Sequence, residues 1–229
     1  LNQGRGFINY TGHGADTYWV TTGFSNTHVN ALVNDYKLPF IQSVACVNGN
    51  FVSQTCFAEA WLRSVNEATN APAGAIGFYG SSINQSWNPP MRAQDETVDL
   101  LVAEQKHTMG GIFYNGSSKM IEVYGQDGIS MFLTWNIFGD CSLMVRSKDP
   151  QPITATYTPI LFIGMNTLPI NTIPGAKVTL YGSGTIYTTG IADTNGDINL
   201  TLENPPLEPM DLTLTITAFN KVTYLDTIQ

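Results

Sequence analysis

Between Gly6 and about Ser147, short apolar runs alternate with longer segments of helical period, and that alternation admits few architectures. GFINY, PFIQSVA and AGAIGFYG read as strands, the last apolar nearly throughout. Between the first two, Val29, Leu32, Val33 and Tyr36 recur at i, i+3, i+4 and i+7, which predicts a helix over Asn26–Tyr36. CFAEAWLRSVNEA reads as a second helix, and a third runs from about Met91 to Lys106, followed by a Gly-rich stretch and two further helical pieces. Strands that alternate with helices form parallel βαβ units, and continuously apolar strands belong to a sheet covered on both faces.

The pattern changes at KDPQP. From Ile153 onward Thr, Val, Ile and Leu alternate with polar residues, and Pro-Gly, Gly-Ser and Asn-Gly turns break the runs, as in a small antiparallel β-sandwich. The expected organisation is therefore an α/β domain over residues 1–149 and an all-β domain over residues 150–229. The chain opens only a few residues before a strand, so the N-terminal part of the first domain is expected to lie outside it.

With 229 residues, 43% hydrophobic and 12% charged, the chain can bury one sizeable core and an appended module. A formal charge of −8 and the lack of any Lys/Arg cluster argue against nucleic acid as a partner. No apolar run approaches the ~20 residues that span a bilayer. Cys46, Cys56 and Cys141 show neither disulfide-scaffold spacing nor paired zinc-ligand spacing, so no metal site is expected.

In an open parallel sheet the functional crevice lies beyond the carboxyl ends of the strands. His13 and Cys46 both stand there, each ending an apolar run and followed by loop residues. A lone histidine or cysteine is usually structural, but their matched placement on two strands of one βαβ unit allows convergence. An imidazole beside a thiol stabilises the thiolate and can return a proton to a departing amine. The N–H groups of Gly14 and Cys46 can cradle an oxyanion. His28 and His107 lie in helical surface contexts, Cys56 opens a helix, and Cys141 sits in a turn.

INYTGHG, LPFIQSVACVNGNF followed by CFAEAWLR, INQSWNPPMRAQDE and FGDCSLMVR together resemble the gingipain family of cysteine peptidases, in order from about Gly6 to Arg146. The resemblance implies a caspase-like, mostly parallel sheet with flanking helices, capped by an immunoglobulin-like sandwich. It also implies Cys46 as nucleophile, His13 as acid/base, backbone donors at Gly14 and Cys46, and hydrolysis after Arg or Lys. The pocket wall it implies comprises Thr11, Val44, Gln85, Trp87 and Met91. An indole at position 87 suits that wall, since its face can cover the stem of a basic side chain.

The further implications are protein or peptide substrates, an upstream segment of the same precursor as partner, and a secreted or cell-surface location. The mechanism requires no cofactor, and a structural calcium ion can be assigned to no residue. The acids that orient the family's histidine and select a basic side chain lie upstream of the His motif and have no counterpart in this chain. Asp16, three positions past His13, falls in the outgoing loop, and Cys141 stands where the family usually has proline. The competing expectation is a non-catalytic peptidase-like scaffold, or an inactive fragment.

Overall fold

The computed structural model describes residues 1–52 and 54–229, in two compact units that divide between Ser147 and Lys148. In the first, β1 (Phe7–Thr11) is followed by the short strands β2 (Gly14–Ala15), β3 (Tyr18–Trp19) and β4 (Phe24–Ser25), then α1 (Asn26–Asn30) and β5 (Phe40–Val44). Next come α2 (Phe57–Arg63), the two-residue strands β6 (Val65–Asn66) and β7 (Ala71–Pro72), and β8 (Gly77–Ser81). The unit closes with α3 (Asn88–Val102), α4 (Met109–Tyr124), α5 (Gln126–Phe132) and β9 (Trp135–Phe138).

The main sheet has the order β1-β5-β8-β9, with the first two pairings parallel and β9 antiparallel. Every residue of β5 and β8 is buried, as two covered faces require. One face sends Ile8, Tyr10, Ile41, Ala45, Phe78 and Phe138 against Trp19, Val29, Leu32, Phe57 and Trp61. On the other, Tyr79 stacks on Phe113 of α4 at 4.8 Å and meets Trp135 at 4.7 Å. Its phenol shares a 2.6 Å hydrogen bond with Ser117 of α4.

Three helical expectations are corrected. The apolar period through Tyr36 does not continue α1, which ends at Asn30. Leu32 packs inward, but Val33 and Tyr36 are exposed and Tyr36 takes φ +57. Buried Asn34 fixes this segment instead, donating to Lys37 O (3.0 Å) and Gly74 O (2.8 Å) and accepting from Gly74 N–H (2.9 Å). Second, α3 starts at Asn88 and not near Met91, with Pro89 and Pro90 in its first turn, where no intrahelical N–H bond is lost. Third, the Gly-rich stretch is itself the start of α4, capped by Thr108 accepting from Gly111 N–H at 3.1 Å. Gly116 lets α4 lie close to α3: a Cβ there would stand 2.6 Å from Ala93 O.

In the second unit every pairing between strands is antiparallel, and one isolated parallel bridge joins Gln151 to Lys221. It comprises β10 (Thr156–Tyr157), β11 (Thr167–Asn171), β12 (Lys177–Gly182), β13 (Thr185–Ile191), β14 (Asp197–Thr201), β15 (Leu212–Thr217) and β16 (Tyr224–Ile228). Sheets β10-β11-β14 and β13-β12-β15-β16 share one core containing Leu168, Ile170, Val178, Leu180, Leu200, Leu214 and Ile216. The alternating burial of β12 and β15 is that of a sandwich with one wet face per sheet.

Candidate active site

β1 and β5 run parallel in register, Thr11 opposite Val44, and Gly12 N–H extends the ladder by donating to Val44 O at 3.1 Å. His13 and Cys46 therefore each lie two residues beyond the last register pair, on neighbouring strands about 4.8 Å apart. The His13 backbone is held from both sides. Its N–H donates to Thr21 Oγ1 (3.1 Å), and its carbonyl accepts from Tyr10 Oη (3.0 Å) and Val20 N–H (2.9 Å). That last bond places Gly14 and Trp19 at the non-hydrogen-bonded position of the β2–β3 pair, which leaves the Gly14 N–H out of the ladder.

After Cys46 the chain turns sharply: Val47 takes φ +50, a costly conformation for a β-branched residue, and its N–H donates to Ile83 O at 3.0 Å. Beneath the turn Asn48 is fully buried. Its Nδ2 donates to Ala15 O (2.7 Å) and Tyr18 O (3.2 Å), and its Oδ1 accepts from Ser43 Oγ (2.9 Å), which in turn accepts from Trp19 Nε1 (2.9 Å). Asn48 thus fastens the loop of His13 to the loop of Cys46. Asp16 joins the same seam, accepting from Asn50 Nδ2 at 2.9 Å, and its carboxylate is engaged there and not with His13. Sequence reasoning missed Asn48, Ser43 and Asn50; the available signal was a polar residue set among apolar neighbours just after Cys46.

The implied pocket residues fall around the same strand ends. Thr11 Oγ1 donates to Gln94 Oε1 at 2.5 Å, while Gln94 Nε2 donates to Tyr10 O at 3.0 Å, so Gln94, also missed, clamps α3 to the end of β1. Val44 is fully buried. The Gln85 carbonyl lies 3.9 Å from Cys46 Sγ, and its side-chain Oε1 is buried without a partner among the described residues. Trp87 caps the start of α3 and Met91 follows one turn later, its N–H bonded to Trp87 O at 3.0 Å. Both side chains are partly exposed, and the Trp87 indole meets the His13 imidazole edge to face, ring centres 5.3 Å apart.

The three cysteines are free thiols in different surroundings. Burial pushes the Cys56 thiol up to about 11, whereas Cys46 is partly accessible and Cys141 exposed. Brief treatment of the folded protein with iodoacetamide near neutral pH is therefore expected to label Cys46 and Cys141 and to spare Cys56. Peptide mapping checks this, and early labelling of Cys56 in folded protein would contradict the burial argument. No cluster of three or more His, Cys, Asp or Glu among the described residues can hold a metal ion. None of the described helices is long and apolar enough to cross a membrane.

His13 and Cys46 thus stand just past the ends of adjacent parallel strands in a sheet covered on both faces. The sequence model of peptidase family C25 matches residues 1–146, and the chain belongs to that family. It is 39% identical over 235 residues to gingipain R2 of Porphyromonas gingivalis, covering all of this chain and 32% of that protein. The crystal structure of the Arg-specific cysteine proteinase gingipain R superposes with a TM-score of 0.90 at 39% identity, over 99% of this chain and 53% of that one. The complex of RgpB pro- and mature domains, also from P. gingivalis, gives 0.89 at 38% identity, over 99% and 54%. The chain thus spans between about a third and about half of these relatives, and it shares the α/β fold of gingipain R.

Proposed function

We propose that this chain carries the nucleophile and the acid/base of a cysteine endopeptidase that cleaves after arginine. The observation that carries the reading is the β1–β5 register, which sets His13 and Cys46 at equal height on neighbouring strand ends. The Cys46 thiolate attacks the scissile carbonyl, and the N–H groups of Gly14 and Cys46 receive the developing oxyanion. As the tetrahedral species collapses the C–N bond breaks, and the His13 imidazolium gives its proton to the departing amine. A water that loses a proton to His13 then attacks the thioester, releasing the acid product and the thiol.

The arginine preference is supported by the two gingipain R relatives and by the chemistry of the wall. Trp87 and Met91 offer exposed apolar surface to an aliphatic stem, and Thr11, Val44 and Gln85 complete the wall that the family resemblance implies. All five are uncharged, so selection of positive charge requires an acid outside this set. The β-sandwich is read as an immunoglobulin-like cap without catalytic residues, since residues 150–229 contain no histidine or cysteine. An upstream pro-segment as partner is supported by the complex of RgpB pro- and mature domains, and a secreted or cell-surface location is the reading that the family resemblance implies.

The test uses the protein as its natural gene encodes it, with matched peptide amides carrying Arg, Lys, Leu or Asp before the scissile bond. The expected order of kcat/KM places Arg first and Lys second. Preference for Leu or Asp would reject the basic pocket and leave the Cys/His chemistry standing; no turnover of any peptide would favour the scaffold reading.

A further inference from the structure

We propose that Tyr10 is a positioning residue for the oxyanion hole: its hydroxyl holds the His13–Gly14 peptide so that the Gly14 N–H points at the carbonyl under attack. The inference rests on the Cys/His reading above, in which that N–H is an oxyanion donor. Tyr10 Oη donates to His13 O at 3.0 Å, and Val20 N–H donates to the same oxygen at 2.9 Å. The His13 carbonyl and the Gly14 N–H belong to one planar trans peptide, in which the two bonds point in opposite directions. Whatever grips the oxygen therefore aims the N–H. Hydrogen bonds accepted by the oxygen also polarise the peptide and make its N–H a stronger donor.

A side chain can aim a peptide only if it is itself fixed, and the Tyr10 phenol is. Tyr10 lies in β1 opposite Ser43 of β5, and its own carbonyl accepts from Gln94 Nε2 at 3.0 Å. Its ring stacks on Trp19, with centres 4.3 Å and planes 17° apart. The Trp19 indole is buried in turn, and its N–H is bonded to Ser43 Oγ at 2.9 Å. Gly12 makes room for the hydroxyl: a Cβ there would collide with Tyr10 Oη and stand 2.8 Å from Thr21 Oγ1, the acceptor of the His13 N–H. The two hydroxyls thus serve different peptides. Thr21 holds the Gly12–His13 peptide, whereas Tyr10 holds the His13–Gly14 peptide, which carries the donor.

Tyr10→Phe, made in the protein as its natural gene encodes it, removes the hydroxyl and keeps a ring on Trp19. A water in place of the hydroxyl is held by no strand and leaves the peptide free to tilt. Removing an oxyanion donor outright costs about a hundredfold to a thousandfold in kcat. Misaiming a donor that remains is expected to cost about tenfold in kcat/KM for an arginyl peptide amide, carried by kcat with KM nearly unchanged. Alkylation of Cys46 by iodoacetamide displaces iodide at a saturated carbon and forms no oxyanion, so its rate and pH profile, followed by peptide mapping, report the thiolate and His13 alone. Both are expected to match the parent's in Tyr10→Phe, and the thermal midpoint is expected to stay within a few degrees. Thr21→Val loses a bond of the same loop at the peptide that carries no donor, and is expected to lower kcat less.

A parent-like kcat in Tyr10→Phe overturns the proposal. A fall in kcat matched by an equal slowing of alkylation overturns it as well, because the hydroxyl would then place His13 and not the donor. An equal or larger fall in Thr21→Val does the same, since any loosening of the loop would then suffice. Cys46→Ala in the same assay isolates the underlying reading: if that variant keeps the parent's turnover, the Cys/His chemistry itself falls and takes the oxyanion assignment with it.

Discussion

Replacing Cys46 by alanine is expected to lower kcat/KM for an arginyl peptide by at least about three orders of magnitude while leaving the thermal midpoint within a few degrees of the parent. The two halves of this expectation have separate causes. Without the sulfur no acyl-enzyme forms, and the oxyanion donors can assist only a water attack that nothing in the site is arranged to deliver. Stability is hardly affected because Cys46 is partly accessible and the one hydrogen bond of its thiol, to Gln85 O, is long at 3.9 Å. Deleting one such atom from a half-open position leaves little cavity, and changes of this kind fall within about 1 kcal/mol. Peptide hydrolysis and thermal unfolding measured on one preparation decide the matter. Retained turnover would mean that the nucleophile lies elsewhere; a collapse of the midpoint would mean that Cys46 holds the turn together.

That dissociation reflects how the strand ends are built, and it bears on what could be read from the sequence. β1, β5 and β8 were legible because strands covered on both faces leave nearly unbroken apolar runs, and the pairing of β1 with β5 followed from the single helix between them. The antiparallel β9 was not, since WNIF is short and lacks a signal of direction. The end of α1 was hidden for a related reason: its apolar period continues, and the contact that overrides it is a pair of bonds between Asn34 and the distant Gly74. Local propensity cannot anticipate a partner that only the folded chain supplies.

The same holds at the site. His13 and Cys46 stand out through their matched placement at two strand ends, where an open parallel sheet carries its functional crevice. Asn48 and Gln94 look like ordinary polar residues until their partners arrive, and then they prove to be the ties between the two loops and between α3 and β1. Trp87 was legible as a wall, by resemblance; its edge contact with His13 was not, because the two meet only through the docking of α3.

Replacement of Gly14 by alanine is expected to reduce kcat/KM by about a hundredfold and to destabilise the fold by about 1–3 kcal/mol, a large effect for one methyl group. A Cβ at Gly14 would stand 2.4 Å from Cys46 O, 2.8 Å from Ala45 Cβ and 3.0 Å from Asn48 Nδ2. None of these atoms can yield cheaply. The carbonyl belongs to the nucleophile's own residue, and the Asn48 side chain is locked by hydrogen bonds to Ala15 O, Tyr18 O and Ser43 Oγ. The loops must therefore part. Parting them moves the Gly14 N–H away from the carbonyl under attack and carries His13, one residue earlier, away from Cys46. A misplacement of about 1 Å is enough for a loss of that size. The comparison is Gly23→Ala, where φ is +71 and a Cβ would meet nothing within 4 Å. That substitution strains the backbone by about 1 kcal/mol and is expected to lower the thermal midpoint with kcat/KM near the parent's. If Gly14→Ala kept full kcat/KM, the close approach of the two loops would have no part in catalysis, and the assignment of the Gly14 N–H to the oxyanion would fall with it.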